Sequence, residues 1–90
     1  MLDKVKETLR ITWDSDDAYL ASIIARGEQY LKDLTGTEPD FAQEGLAQNL
    51  LLDYCRYEYN QATEYFEDNY HKEILRLQLS EALRGKDHAR

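Results

Sequence analysis

One cysteine, one proline and four glycines are all that ninety residues offer to staple or interrupt the chain. A single Cys55 has no internal disulfide partner, which points to a reducing compartment rather than a disulfide-stapled secreted fold. Apolar runs are short. None approaches the ~20 residues a helix needs to cross a bilayer, so no membrane partner is expected. The segment Met1-Leu2-Asp3-Lys4-Val5 lacks the apolar centre of a signal peptide. Positive charge is also scarce: 11 Lys and Arg stand against 18 Asp and Glu, a net charge of −7. Phosphates repel such a chain, so specific nucleic-acid binding is not expected. A chain of this length buries only about 60–65% of its unfolded surface, so one thin-cored domain is the limit. Assembly with further subunits is then a natural source of extra buried area.

The acidity is unevenly placed. Residues 1–10 carry a net +1, residues 11–70 a net −10 and residues 71–90 a net +2. A solvated acidic surface accounts for this pattern. A head-to-tail contact also accounts for it, with the basic end of one copy meeting the acidic flank of the next.

With so few breakers, the apolar spacing reads as helix throughout. Leu2, Val5 and Leu9 predict a short N-terminal helix over 2–9. Leu20, Ile23, Ile24, Gly27, Tyr30, Leu31 and Leu34 form one stripe of a helix over about 15–35. Asp14 or Ser15 is its expected N-cap, and Gly36 its stop. A second long helix is expected from Pro39-Asp40, where Asp40 and Gln43 would form a capping box. Its core stripe is Leu46, Ala47, Leu50, Leu51, Tyr54 and Tyr57. Leu52, Cys55 and Tyr59 make it apolar over most of its circumference, and that surplus is expected to meet another chain. A third runs from about Thr63 or Glu64 to Leu83, with Phe66, Tyr70, Ile74 and Leu77 inward and Leu75, Leu79 and Leu83 beside them. A break is expected at residues 60–63 and a stop at Gly85. The expected fold is all-α: three main helices plus a short N-terminal one, with a single domain over 1–85 and a flexible polar tail over 86–90.

Chemistry-bearing residues are few. Cys55 has no His or basic neighbour one helical turn away, and Glu58 would raise its thiol pKa rather than lower it. His71 with Glu67 makes only two metal ligands, short of a zinc site, and His88 lies near the C-terminal end. Asp14-Ser15-Asp16-Asp17 lacks the glycine and distal Glu of a calcium loop. No active site, metal or cofactor is expected. Six of the ten aromatics lie between Tyr54 and Tyr70. Tyrosine suits contact surfaces, since it joins an apolar ring to a hydroxyl that tolerates water. Tyr57 and Tyr59 stand two apart on a helix, so they cannot both face the core.

The run Arg10-Ile11-Thr12-Trp13-Asp14-Ser15-Asp16-Asp17, followed by Leu20, Ile23, Ile24, Tyr30-Leu31 and Thr35-Gly36, resembles small phage head–tail connector proteins. Downstream, Asp53-Tyr54-Cys55-Arg56-Tyr57-Glu58-Tyr59-Asn60, Phe66-Glu67-Asp68-Asn69-Tyr70 and Ile74-Leu75-Leu77 resemble the adaptor subgroup of long-tailed phages and prophages. The resemblance covers about residues 8–80. It implies a structural virion protein and not an enzyme, made in the host cytoplasm and placed at the head–tail interface. Such a protein assembles as a homo-oligomeric ring under the portal, extends the DNA channel and docks a stopper or tail-completion protein. DNA passes through without specific binding, and an acidic lumen would let it slide. Carried onto this chain, Leu79, Leu83, Arg84, Lys86 and Arg90 become portal-facing candidates. The surplus apolar residues Leu52, Cys55, Tyr59 and Tyr65 become subunit-interface candidates. Gly36, Thr37, Glu38 and Phe41 become loop candidates for a neighbour or the tail side. The composition also admits a small acidic inhibitor, DNA-mimic or antitoxin-like, that covers a basic protein surface. A DNA mimic, however, displays carboxylates rather than tyrosines.

Overall fold

The computed structural model describes residues 1–88, with side chains described through residue 84. Five α-helices follow in order: α1 (Leu2–Leu9), α2 (Asp17–Thr35), α3 (Leu46–Tyr59), α4 (Phe66–Asn69) and α5 (His71–His88). A 3₁₀ turn, Thr63–Tyr65, precedes α4, and no strand occurs among the described residues. The all-α expectation holds, with a short N-terminal helix and three long ones.

Helix ends here are set by backbone geometry more than by capping side chains. α1 closes in a Schellman motif: Arg10 takes a left-handed φ of 60°, its amide donates to Glu7 O, and the Ile11 amide donates to Lys6 O. α3 closes the same way. Gln61 has φ 56°, its amide donates to Glu58 O, and the Ala62 amide donates to Tyr57 O. This is the expected break at residues 60–63, made without glycine. Gly36, at φ 65°, ends α2 with a single bond from its amide to Lys32 O.

Three expected boundaries are corrected. Neither Asp14 nor Ser15 caps α2; Asp16 is the N-cap and makes no capping bond. Asp14 and Asp17 instead accept from Lys6 Nζ at 2.8 Å each, tying α1 to the start of α2. The Asp40–Gln43 capping box does not form. Asp40 accepts from the Ala42 amide, and α3 starts six residues later at Leu46. Here burial outweighs local capping: Pro39 and Phe41 turn into the core, and the buried Gln48 Nε2 donates to Phe41 O at 3.0 Å. The third long element is divided at Tyr70 into α4 and α5, and α5 continues through Gly85 to His88.

α3 lies at the centre, touched by α1, α2 and α5. Gly27 is what lets α2 approach it, since a Cβ there would meet Leu51 Cδ1 and Tyr54 Cδ1 at 2.8 Å. Val5, Leu20, Ile23, Leu31, Leu50, Leu51, Cys55 and Phe66 are almost completely buried between these helices. α5 is joined to the far end of α2. Gln78 Nε2 donates to Leu34 O at 2.8 Å, and Thr37 Oγ1 donates to the buried Glu81 at 2.8 Å.

Candidate interaction surface

The aromatic cluster between residues 54 and 70 is mostly an internal stack. Phe66, fully buried, has Tyr70 stacked at 4.8 Å and meets Tyr54 and Tyr57 edge-on at 5.4 and 5.6 Å. Tyr30 of α2 completes the group, stacked on Tyr54 at 5.0 Å. The hydroxyls are engaged too. Tyr30 donates to Glu67 and Tyr54 to Glu58, while Tyr57 accepts from Asn69 and Tyr70 from Arg56. Burial followed by the Glu67 bond pushes the Tyr30 phenol well above its ordinary pKa.

The surplus apolar face expected on α3 is accounted for within the chain. A helix packed against three others buries more than one face, which uses much of the apolar content of α3, while Asn49 and Arg56 mark the side left exposed. Cys55 is fully buried and offers no surface to a neighbour. Burial, with Glu58 and Glu28 adding negative charge, pushes its thiol up to about 12. Leu52 is half-buried against the core. Of the four subunit-interface candidates, Tyr59 is half-buried at the end of α3, and Tyr65 stands out at 59% exposure.

Uncovered apolar surface collects in two other places. On α5, Leu75, Leu79 and Leu83 are 51, 64 and 57% exposed, at i, i+4 and i+8. Lys72 and Arg76 flank them, exposed and making no ion pair among the described residues. Leu79 and Leu83, named as portal-facing candidates, are exposed. Leu75 belongs with them, and its spacing already carried that signal. The second place is the start of α2, where Trp13 and Tyr19 are exposed. Asp16 Oδ2 accepts from Trp13 Nε1 at 2.9 Å and from the Tyr59 hydroxyl at 3.4 Å, and Tyr59 lies 6.3 Å from Tyr19. Three rings are thereby gathered around one carboxylate. No periodicity of the sequence marked Trp13 or Tyr19, because their neighbour Tyr59 is 40 or more residues away in the chain.

The portal-facing and loop candidates prove to be neighbours. Arg84 donates to Glu38 O at 2.9 Å and pairs with Glu81, which in turn holds Thr37. Gly36 to Glu38 therefore lie beside the later turns of α5, on the side of Glu81 and Arg84, while Leu79 and Leu83 are exposed on another face. Phe41 is buried and anchors the loop rather than presenting it. The Lys86 side chain and Arg90, together with the end of the expected tail, lie outside the described residues.

Among the described residues, no group of three or more His, Cys, Asp or Glu side chains could hold a metal ion, and no helix is long and apolar enough to cross a membrane. An open cleft of about 360 Å³ lies beside Tyr30, Tyr54, Thr63, Glu64 and Glu67, and the Tyr30 hydroxyl there is held by Glu67 at 2.7 Å. The fold defines a small all-helical protein whose exposed large apolar residues gather on α5 and at the start of α2.

Comparison with known families identifies the kind of assembly. The model of the phage gp6-like head-tail connector protein family matches residues 1–84, so the chain belongs to that family. It is a structural connector of the phage particle. Neither the curated proteins nor the solved structures contain a significant match.

Proposed function

We propose that the chain is one segment of a homo-oligomeric ring beneath the portal, which continues the DNA channel and docks a stopper or tail-completion protein. The observation that carries this reading is the pair of uncovered apolar patches at opposite ends of a single connector chain. A lone thin-cored domain gains nothing from a leucine stripe in water, whereas a segment buries it on assembly. The end where Arg84 meets Glu38 supplies a polar surface for the portal. The net charge of −7 suits a wall past which DNA moves without adhering. The site of action is then the head–tail interface of the virion, reached from the host cytoplasm during assembly.

The test is complementation. Particles assembled without this protein should be heads that hold DNA but lack tails. Purified protein added back should restore tail attachment and place a ring under the portal in electron micrographs. Tailed, infectious particles formed in its absence would refute the reading.

A further inference from the structure

The two patches complement each other. Leu75, Leu79 and Leu83 form an i±4 ridge about 12 Å long, the kind of row that helices fit into a neighbour's groove. One edge of it is basic, through Lys72 and Arg76. The patch of Trp13, Tyr19 and Tyr59 is bordered by Asp14, Asp16 and Asp17, of which Asp14 and Asp17 share the single ammonium of Lys6. That border has three carboxylates against one cation. Arg26, beyond Tyr19, is already paired with Glu58. An arginine arriving at this patch would also find exposed aromatic faces to stack on.

The patches cannot meet within one chain. Tyr59 and Asp16 mark one end of α2, while Leu34 and Thr37, which hold Gln78 and Glu81 of α5, mark the other. The 19 residues of α2 separate them by about 27 Å. A contact between two different patches on opposite ends of identical chains is heterologous, and it repeats until it closes a ring or runs on as a filament.

We propose that the Leu75–Leu79–Leu83 ridge of one copy docks on the Trp13–Tyr19–Tyr59 patch of the next, with Lys72 and Arg76 set against Asp14, Asp16 and Asp17. The proposal rests on the ring reading above and assigns its repeating contact. It places the leucines between subunits and leaves the Arg84 end for the portal.

The test uses the complete chain in assembled particles. Trp13→Cys and Leu79→Cys are placed in one chain, and the particles are treated with a short bismaleimide. Both positions are exposed, and the buried Cys55 stays unlabelled in the native fold. The expected result is a covalent ladder of dimers, trimers and higher oligomers. Trp13→Cys alone and Leu79→Cys alone should give no product beyond dimer. Circular dichroism of each purified variant should match the parent. A ring visible in micrographs without a ladder overturns the contact while leaving the ring reading intact. A Leu79→Cys cross-link to the portal protein also overturns it, by giving the ridge another occupant. Absence of any ring from functional particles removes both readings together.

Discussion

The approach of α2 to α3 turns on Gly27, and Gly27→Ala tests it. On an exposed helix face this substitution would stabilise by about 1 kcal/mol, since alanine is the better helix former. Here the new Cβ falls 2.8 Å from both Leu51 Cδ1 and Tyr54 Cδ1. Leu51 is fully buried, so its methyl has no open space to enter. The Tyr54 ring is held between Tyr30 at 5.0 Å and Phe66 at 5.4 Å, so it cannot tilt away without disturbing both. Forcing a methyl into such packing costs about 1–3 kcal/mol, which outweighs the helix-propensity gain. The expected net loss is about 1 kcal/mol, a fall of roughly 4–8 °C in the unfolding midpoint for a domain this size. Thermal unfolding followed by far-ultraviolet circular dichroism measures it. Leu51→Ala completes a double-mutant cycle: alone it costs about 2–5 kcal/mol, and combined with Gly27→Ala it should cost at least ~0.5 kcal/mol less than the sum. A Gly27→Ala protein as stable as the parent, with additive double-variant energies, would refute the close helix contact.

Phe66→Ala removes the ring that joins α4 to α2 and α3, at a cost of about 3–5 kcal/mol, with loss of near-ultraviolet dichroism from the stacked tyrosines; a change below ~1 kcal/mol would contradict the stack. Cys55, its thiol pushed up to about 12 behind buried side chains, should react with a disulfide reagent only after the protein is unfolded in guanidinium. Rapid native labelling would show that Cys55 is not enclosed. Glu81 has its carboxyl lowered from 4.5, first by the Arg84 hydrogen bond and also by that from Thr37. Its folded pKa is below its unfolded one, so the stabilisation is complete above the unfolded value and is lost as pH falls through the folded value. Glu81→Gln should therefore flatten the decline of the unfolding midpoint below pH 4.5, and unchanged slopes would exclude this linkage.

Much of the fold was legible because helical periodicity depends on burial, and burial dominates in a chain so poor in breakers. The stripe Leu20, Ile23, Ile24, Gly27 and Leu31 is buried as spaced, and α1 occupies residues 2–9 as read. Boundaries that rested on capping chemistry fared worse. A capping bond contributes only about 1 kcal/mol, and the buried Phe41 and Pro39 draw the Asp40 segment into the core instead of letting it begin a helix. The Schellman closures at Arg10 and Gln61 were invisible, because neither residue type advertises a left-handed conformation. Leu79 and Leu83 are named from the family resemblance as portal-facing candidates and Tyr59 and Tyr65 as subunit-interface candidates, and all four keep some exposure. The Trp13–Tyr19 patch is not among them, since it exists only once the end of α3 folds back beside the start of α2.

The apolar surplus on α3 carries a physical lesson about small helical domains. Apolar residues over most of a helix, as on α3, admit two explanations: the helix has bare faces that other chains cover, or its own chain covers its apolar faces. Composition cannot separate them; connectivity can. α3 follows α1 and α2 and precedes α5, and all three pack against it, leaving the side of Asn49 and Arg56 exposed. Among the described residues α5 packs on α2, α3 and α4. No later helix among the described residues covers its other face. The i±4 row at Leu75, Leu79 and Leu83 therefore has no intramolecular use, although it contains fewer apolar residues than α3. In a thin bundle, unmet burial belongs to the peripheral helix whose second stripe is out of register with its first. Leu75 stands beside Ile74 and Leu79 two residues beyond Leu77, which turns the leucines away from the core that Ile74 and Leu77 fill. That offset, more than the total of apolar residues, sets which leucines of α5 stay exposed.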